Sequence, residues 1–388
     1  MPLCLFLTAA VSNLKLERQG MRIAAFNVEN LFSRVRAMNL EDWEAGKPIL
    51  TEYSRLNSLL LEPVYTTAIK SEILASLDRL DLLKSDNSPY VILRQNRGEF
   101  LKRSRSGSPE IVAEGRGDWV GWVDLKTEPV NAIAMKMTAR VIQDVNADIL
   151  TVVEAENRIA LNHFNQQLLK PIAADYRETM LIDGNDERGI DVGILTKPGC
   201  QIESMVSHIN DRQGEFPIFS RDCPEFTIRV GQTTLLVLVN HFKSKGFGSQ
   251  TASNAKRRSQ AQRVREIYEQ RKREGIELIV IAGDLNDTPT SKPLEPLLAD
   301  RSDLRDISLH PSFVSDGRPG TYGNGTASQK IDYLLLSPAL FDRVSSGGVF
   351  RQGVWGGKNG TLFPHYAEMT QAIHAASDHA AIWADIDL

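Results

Sequence analysis

The chain has 388 residues, 42% hydrophobic and 24% charged, the balance of a soluble globular protein with material for one large domain or two ordinary ones. This excludes wholesale disorder, collagen-like repeats and a coiled-coil rod, and no run approaches the ~20 apolar residues that span a bilayer. With 45 basic against 49 acidic residues, a globally basic nucleic-acid coat is excluded too, although a local basic groove over an acidic site is not.

Residues 1–20 carry a short apolar run with no basic residue before it, unlike a signal peptide. A strand-like run starts at Met21, so 1–20 reads as an N-terminal extension and 21–388 as one domain. Cys4, Cys200 and Cys223 are too few and too scattered for a disulfide framework or a zinc site. The expected location is cytoplasmic, with secretion or the periplasm as the alternative.

The first predicted strand, 22–28, is followed by a different kind of sequence at about 34–130, read as an insertion or subdomain. It holds one helix, roughly 64–83, with Ile69, Ile73, Leu77 and Leu80 in phase. A basic, Ser/Gly-rich stretch at 94–108 reads as an exposed loop whose Arg94, Arg97, Lys102, Arg103 and Arg105 could wall a groove. Trp119 and Trp122 alternate as strand residues do. A helix over 131–146 follows, with Ile133, Met137, Val141 and Val145 on one face. Further apolar runs at 148–153, 190–195, 225–230, 234–239, 277–282 and 331–336 read as strands covered on both faces. A helix at 252–274 carries the narrow stripe Ala261, Val264 and Tyr268 and ends at Gly275.

Acidic, amide and imidazole groups recur where these runs end. Asn27 and Glu29 close the first strand, and Glu154 follows ILTVV. Asn240 and His241 follow LLVLV, and Asp284, Asn286 and Asp287 follow LIVIAG. Asp332 opens a strand, and Asp378 and His379 precede AAIW. Any one of these alone is a common turn residue. Together they would gather carboxylates that are tolerable only around a counter-ion. Oxygen donors without cysteine suit Mg²⁺, Mn²⁺ or Ca²⁺ rather than zinc. Carboxylates, asparagines and two histidines in one place suit phosphoester hydrolysis.

The motifs FNVEN, VVEAEN, RGIDVGIL, NHFKSK, AGDLND, KIDYLLLSP and SDH, in that order, resemble the endonuclease/exonuclease/phosphatase superfamily. The resemblance covers 21–33 and 131–388 and is nearest to the bacterial nuclease branch. It implies an α/β fold, a deoxyribonuclease I-like four-layer sandwich of two packed β-sheets flanked by helices. It implies metal ligation or its support by Asn27, Glu29, Glu154 and Asp378. His241 would contact the scissile phosphate, and Asp284 and Asn286 would position or deprotonate the attacking water. Asp332 would orient the catalytic His379, with either Asp284 or His379 as the base. Arg221 stands where nuclease-branch members often carry an arginine. From the residues themselves, Lys243, Lys256, Arg257, Arg258 and Arg263 belong to a basic run that could track a nucleic-acid backbone. The leading expectation is therefore a Mg²⁺- or Mn²⁺-dependent phosphodiesterase, a nuclease acting on DNA. The alternatives are a phosphatase or phospholipase-type hydrolase of small or lipid phosphoesters, and a catalytically silent binding module on the same fold.

Overall fold

In the computed structural model, which describes residues 20–38, 40, 43–104, 108–186, 188–245, 249–299 and 301–388, apolar runs form strands and periodic stretches form helices. In chain order, the first half contains β1 (Met21–Asn27), α1 (Trp43–Leu60), α2 (Thr67–Arg79), β2 (Val91–Arg97) and β3 (Val120–Leu125). Next come α3 (Ala132–Val145), β4 (Ile149–Ala155), α4 (Arg158–Phe164), β5 (Glu178–Ile182) and β6 (Asp191–Thr196). Then follow β7 (Cys200–Val206), β8 (Glu225–Val230), β9 (Thr233–His241), α5 (Gln250–Arg273) and β10 (Ile279–Asp284). The last strands are β11 (Arg305–Asp306), β12 (Phe313–Val314), β13 (Asp332–Leu336), β14 (Val344–Phe350) and β15 (Ala381–Ile386).

The strands form two large sheets. One has seven strands in the order β12-β14-β15-β1-β4-β6-β5, the other six in the order β7-β8-β9-β10-β13-β11. Ile23, Ala25, Val153 and Ile194 of the first sheet pack against Phe226, Val237, Val280 and Leu334 of the second in one buried cluster. The outer face of the first sheet is covered by α3 and α4, through Met137, Val141, Val145 and Leu161. The outer face of the second is covered by α5, through Ala261, Val264 and Tyr268. The result is a four-layer α/β sandwich. Strands covered on both sides have no polar face to show, which is why they read as unbroken apolar runs.

The segment between β1 and α3 has its own core, in which Leu56, Ile73, Leu77, Leu93, Phe100 and Trp119 are buried together. The expected single helix is there as α2, capped by the Thr66 hydroxyl on Ile69 N. A second helix, α1, was not expected, because Gly46 and Pro48 interrupt its pattern. Gly46 is required there, since a Cβ would stand 1.9 Å from the Ala37 carbonyl oxygen. The expected exposed loop at 94–108 is also corrected. Arg94 pairs with Trp122 across the β2–β3 ladder, and Phe100 and Leu101 are buried. The strand is legible only as alternation, Val91 and Leu93 inward with Arg94 outward. Trp119 stacks on Phe100 at 4.1 Å, while Trp122 is 43% exposed. Residues 1–19 of the expected 1–20 extension, Cys4 among them, and Arg105 lie outside the described residues. Cys200 and Cys223 are both buried.

Candidate active site

Strand register assembles the site. β9 runs parallel to β10, opposing His241 and Asp284, and β10 runs antiparallel to β13, opposing Asp284 and Asp332. Three chemically active side chains therefore stand abreast at one end of the second sheet. Gly283 lets them close up: its φ is +123°, and a Cβ there would lie 2.1 Å from the Asn240 carbonyl oxygen. At the same end of the first sheet, Asn27 closes β1, Glu154 lies near the end of β4, and Asp378 and His379 precede β15. Asn27 joins the two sheets, its amide nitrogen 3.5 Å from Asp284 Oδ2 and 3.4 Å from His379 Nε2. Its Oδ1 accepts from Glu29 N at 3.1 Å, so the amide orients its neighbours more than it offers a ligand.

The loops at this end are strained. Glu29, Asn30, Glu154 and Asn286 all have left-handed backbones, with φ of 49°, 67°, 65° and 53°. Each such residue costs on the order of 1–3 kcal/mol and persists only where its surroundings fix it. Glu156 does much of the fixing, accepting the N–H groups of Leu31, Phe32 and Ser33 at 3.0, 2.6 and 2.7 Å. Asn30 N donates to Glu154 O at 2.9 Å, and Asn286 N donates to Asp284 Oδ1 at 2.8 Å.

His379 Nδ1 lies 2.8 Å from Asp332 Oδ2, which also accepts from the Thr321 hydroxyl at 2.6 Å. Burial opposes charge on this imidazole, but the facing carboxylates of Asp332, Asp378 and Asp284 prevail and hold its pKa well above the ordinary range. His241 goes the other way. Burial and the Arg221 and Arg188 guanidiniums push it well below the ordinary value and keep it neutral. Burial and the adjacent Asp332 raise Asp284 to about 8. Burial, opposed by Arg34 and reinforced by Asp378, raises Glu29 to about 7. Asn286 holds Asp284 from the side, its amide nitrogen 3.2 Å from Asp284 Oδ2.

A cavity of about 410 Å³ is lined by Glu29, Glu154, His241, Asp284, Asp378 and His379, with Asn286 at its wall. Sequence reasoning missed three of its other residues. Arg188 chelates Asp186 at 2.8 and 2.6 Å. Tyr322 packs its ring 4.9 Å from that of His379. Lys47, on α1, brings the insertion to the cavity wall. The Arg188 signal is present as the arginine of RGIDVGIL, at the turn into β6, although the motif alone does not give it a role. Arg221 is 1% exposed, lies 3.3 Å from both Asp186 and His241, and its Nη1 finds no hydrogen-bond acceptor among the described residues.

The basic helix does not reach this cavity. Arg257 points inward, fully buried, and donates to Asp287 at 3.1 Å and to Lys243 O at 2.8 Å. Arg258 pairs with Glu295 at 2.9 Å and Arg263 with Asp211 at 2.6 Å, while Lys256 donates to Pro217 O. Of the expected basic run Lys256, Arg257, Arg258 and Arg263, Arg257 is corrected, because it is buried in the framework, whereas the Arg258 side chain remains 53% exposed beside Glu295. Lys243 lines adjoining spaces rather than the catalytic cavity.

Glu29, Glu154 and Asp378 offer only oxygen donors on the wall of one cavity, and burial with neighbouring carboxylates pushes Glu29 and Asp378 upward, so that together they ionise best around a cation. Such a donor set fits a hard divalent ion. A tighter trio, Asp284, Asp332 and His379, has ligand atoms within 4.8 Å of one another. It fits less well, because Asp332 is already engaged by His379 and Thr321.

The family model for the endonuclease/exonuclease/phosphatase family matches residues 110–347. No curated protein matches the chain. Among solved structures it is similar to an endonuclease/exonuclease/phosphatase family protein from Bacteroides thetaiotaomicron, at 16% identity and TM-score 0.48 over 66% of this chain and 89% of that one. It is likewise similar to a mannosyl-6-phosphatase from Bacteroides thetaiotaomicron, at 16% identity and TM-score 0.49 over 66% and 91%. A truncated TDP2 from Caenorhabditis elegans matches at 17% identity and TM-score 0.46 over 66% and 91%.

Proposed function

Because this chain belongs to the endonuclease/exonuclease/phosphatase family, whose members are metal-dependent phosphoric ester hydrolases, we propose that it hydrolyses phosphodiester bonds in a nucleic-acid strand, with DNA as the first candidate. Mg²⁺ or Mn²⁺ is the proposed ion, with Ca²⁺ as the alternative. The observation that carries the reading is the His379–Asp332 pair standing beside the Asp284–Asn286 pair, His379 Nε2 3.9 Å from Asp284 Oδ2, at the wall of a cavity also lined by Glu29, Glu154 and Asp378.

The roles follow from the electrostatics. Glu29, Glu154 and Asp378 would hold the cation, with Asn27 fixing the Glu29 backbone, and the ion would supply positive charge to neutralise that developing on the phosphoryl oxygens. His379 stays protonated beside its carboxylates, so it donates to a phosphate oxygen rather than taking a proton. Asp284 is then the base. Its raised pKa suits a proton acceptor working near neutral pH, and Asn286 keeps it aimed at the attacking water. Neutral His241 and the buried Arg221 meet the scissile phosphate from the other side, where a fixed guanidinium costs no reorganisation. The engagement of the α5 cations with framework acceptors favours a second reading, hydrolysis of a small phosphoester, which needs no long basic track.

One panel tests both readings: purified protein with Mg²⁺, Mn²⁺, Ca²⁺ or EDTA against plasmid, linear DNA, RNA, bis-p-nitrophenyl phosphate, p-nitrophenyl phosphate and inositol phosphates. Diester and DNA turnover that EDTA stops, and that Glu154→Gln lowers at least ~10²-fold, is the expected result. Unchanged turnover by Glu154→Gln at saturating ion would remove Glu154 from the metal site. Activity confined to monoesters would transfer the assignment to a phosphatase.

A further inference from the structure

A second cavity, of about 630 Å³, opens at the edge of the sandwich, where β12 is the outermost strand of the first sheet. It adjoins the catalytic cavity. A single helical turn, Ala327–Gln329, divides the two: Ala327 lines the second cavity, Gln329 lines the catalytic one, and Ser328 lines both. The turn is fixed in place. Gln329 Oε1 accepts the Thr326 N–H at 3.1 Å, and Gln329 O accepts from Thr321 N at 2.9 Å. Lys330, next in the chain, lines the second cavity and donates from Nζ to Asp332 O at 2.6 Å. The second cavity therefore borders the residue that holds His379.

Its lining suits a neutral occupant. Among the described residues that lining holds no Asp or Glu, and its two cations already have acceptors. Lys330 meets Asp332 O and Asp306, at 2.6 and 3.2 Å, and Arg318 donates to Asn324 O and Leu362 O, at 3.0 and 3.2 Å. Pro289, Phe313, Val349 and Ile382 make the walls apolar, and the Thr290 and Ser308 hydroxyls add neutral polar atoms. Leu309 also lines the space and is 75% exposed, an apolar side chain that an occupant would cover. A cavity of this size, mostly apolar with a few polar atoms, has the character of a small-molecule site. A flat, uncharged ring with donors and acceptors on its edge matches it: the ring stacks on Phe313 and the edge meets the hydroxyls.

We propose that this cavity receives a nucleobase flanking the bond that is cut, its strand passing over the Ala327–Gln329 turn. The proposal rests on the phosphodiesterase reading and deepens it. The preferred substrate is a single strand that carries bases, because a base in a duplex must first be unpaired and unstacked before it can enter.

Ala327→Trp and Leu309→Asp test this. Both positions are exposed and neither lines the catalytic cavity. The indole would occupy the space, and the carboxylate would set a charge against an apolar ring. The probes are a single-stranded deoxyribonucleotide pentamer and the same pentamer made abasic throughout. For wild type, KM should be at least ~10-fold lower with bases than without. Both variants should lose that advantage while turning over the abasic pentamer as wild type does, a rate that also reports an intact fold. Should Ala327→Trp not fold, Leu309→Asp decides alone. An advantage absent from wild type, or kept by a folded variant, overturns the proposal. A longer single strand should be cut faster than its duplex, and equal rates overturn it as well. Anisotropy of both labelled pentamers in EDTA needs no catalysis. If neither pentamer is cleaved, the hydrolase reading fails, while base-dependent binding that Leu309→Asp abolishes still upholds the base site and base-independent binding overturns it. Thymidine should compete with the pentamer for wild type; displacement by decanoate and not by thymidine assigns the cavity to acyl chains and overturns the proposal.

Discussion

Helix α5 and the wall of the catalytic cavity both carry clustered cations, yet they spend them differently. On α5, Arg258, Arg263 and Arg271 meet Glu295, Asp211 and Glu225, carboxylates that belong to the framework. At the cavity, Arg188 and Arg221 share Asp186, and Arg221 keeps a buried donor with nowhere to point but inward. A tally of positive charge along the chain favours the helix. The direction of the remaining donors favours the cavity. Density of charge in a sequence is thus a poor guide to a phosphate site, and the better guide is a cation whose acceptors leave part of it unspent.

Three experiments press on this contrast. The largest effect is expected at the cavity: His379→Ala should lower kcat at least ~10²-fold with little change in KM, as befits a positioned donor. A change confined to KM would reduce His379 to a binding role. A second experiment separates framework from substrate contact on α5. Arg257→Gln strips a buried partner from Asp287, which Lys245 at 2.7 Å only partly replaces, and should cost about 3 kcal/mol in urea unfolding. Arg258→Gln with Arg263→Gln should cost no more than ~1 kcal/mol and leave the salt dependence of DNA binding unchanged. A flattened salt slope in that double variant would restore the helix to the substrate path.

The smallest effect concerns His208, at the far side of α5. It lies 2.7 Å from Glu225 and 2.9 Å from Asp211, and although burial alone would lower its pKa, those partners raise it. A raised imidazole stabilises the fold below its unfolded value near 6.5, and that contribution disappears as pH climbs through the folded value. The Tm of His208→Gln should therefore change less between pH 6 and pH 9 than that of the wild type. Parallel curves would show that His208 stays neutral throughout.

Much of this was legible in the chain because burial on both faces leaves strands no choice of residue. LLVLV, LIVIAG and DYLLL each became a central strand, and the polar residues at their ends came together because register aligned those ends. What escaped did so for physical reasons. α1 hides behind Gly46 and Pro48. Arg257 could have been read correctly, since it lies four residues before Ala261 and so on the buried stripe, but charge counting ignores phase. The joint role of Asp186 and Arg221 depends on a contact across 35 positions that no local pattern encodes.

The first sheet carries a consequence of a different kind. β1 is flanked by β4 on one side and β15 on the other, and Asp378 and His379 stand at the threshold of β15. While residues 378–386 are still inside the ribosome, the slot between β1 and β14 is open and Asp332 has no imidazole to hold. Until that strand docks, Asp378 and His379 are not held at the cavity wall and the His379–Asp332 pair is not formed. Docking of that one strand closes the exposed edge and switches on the chemistry in the same event.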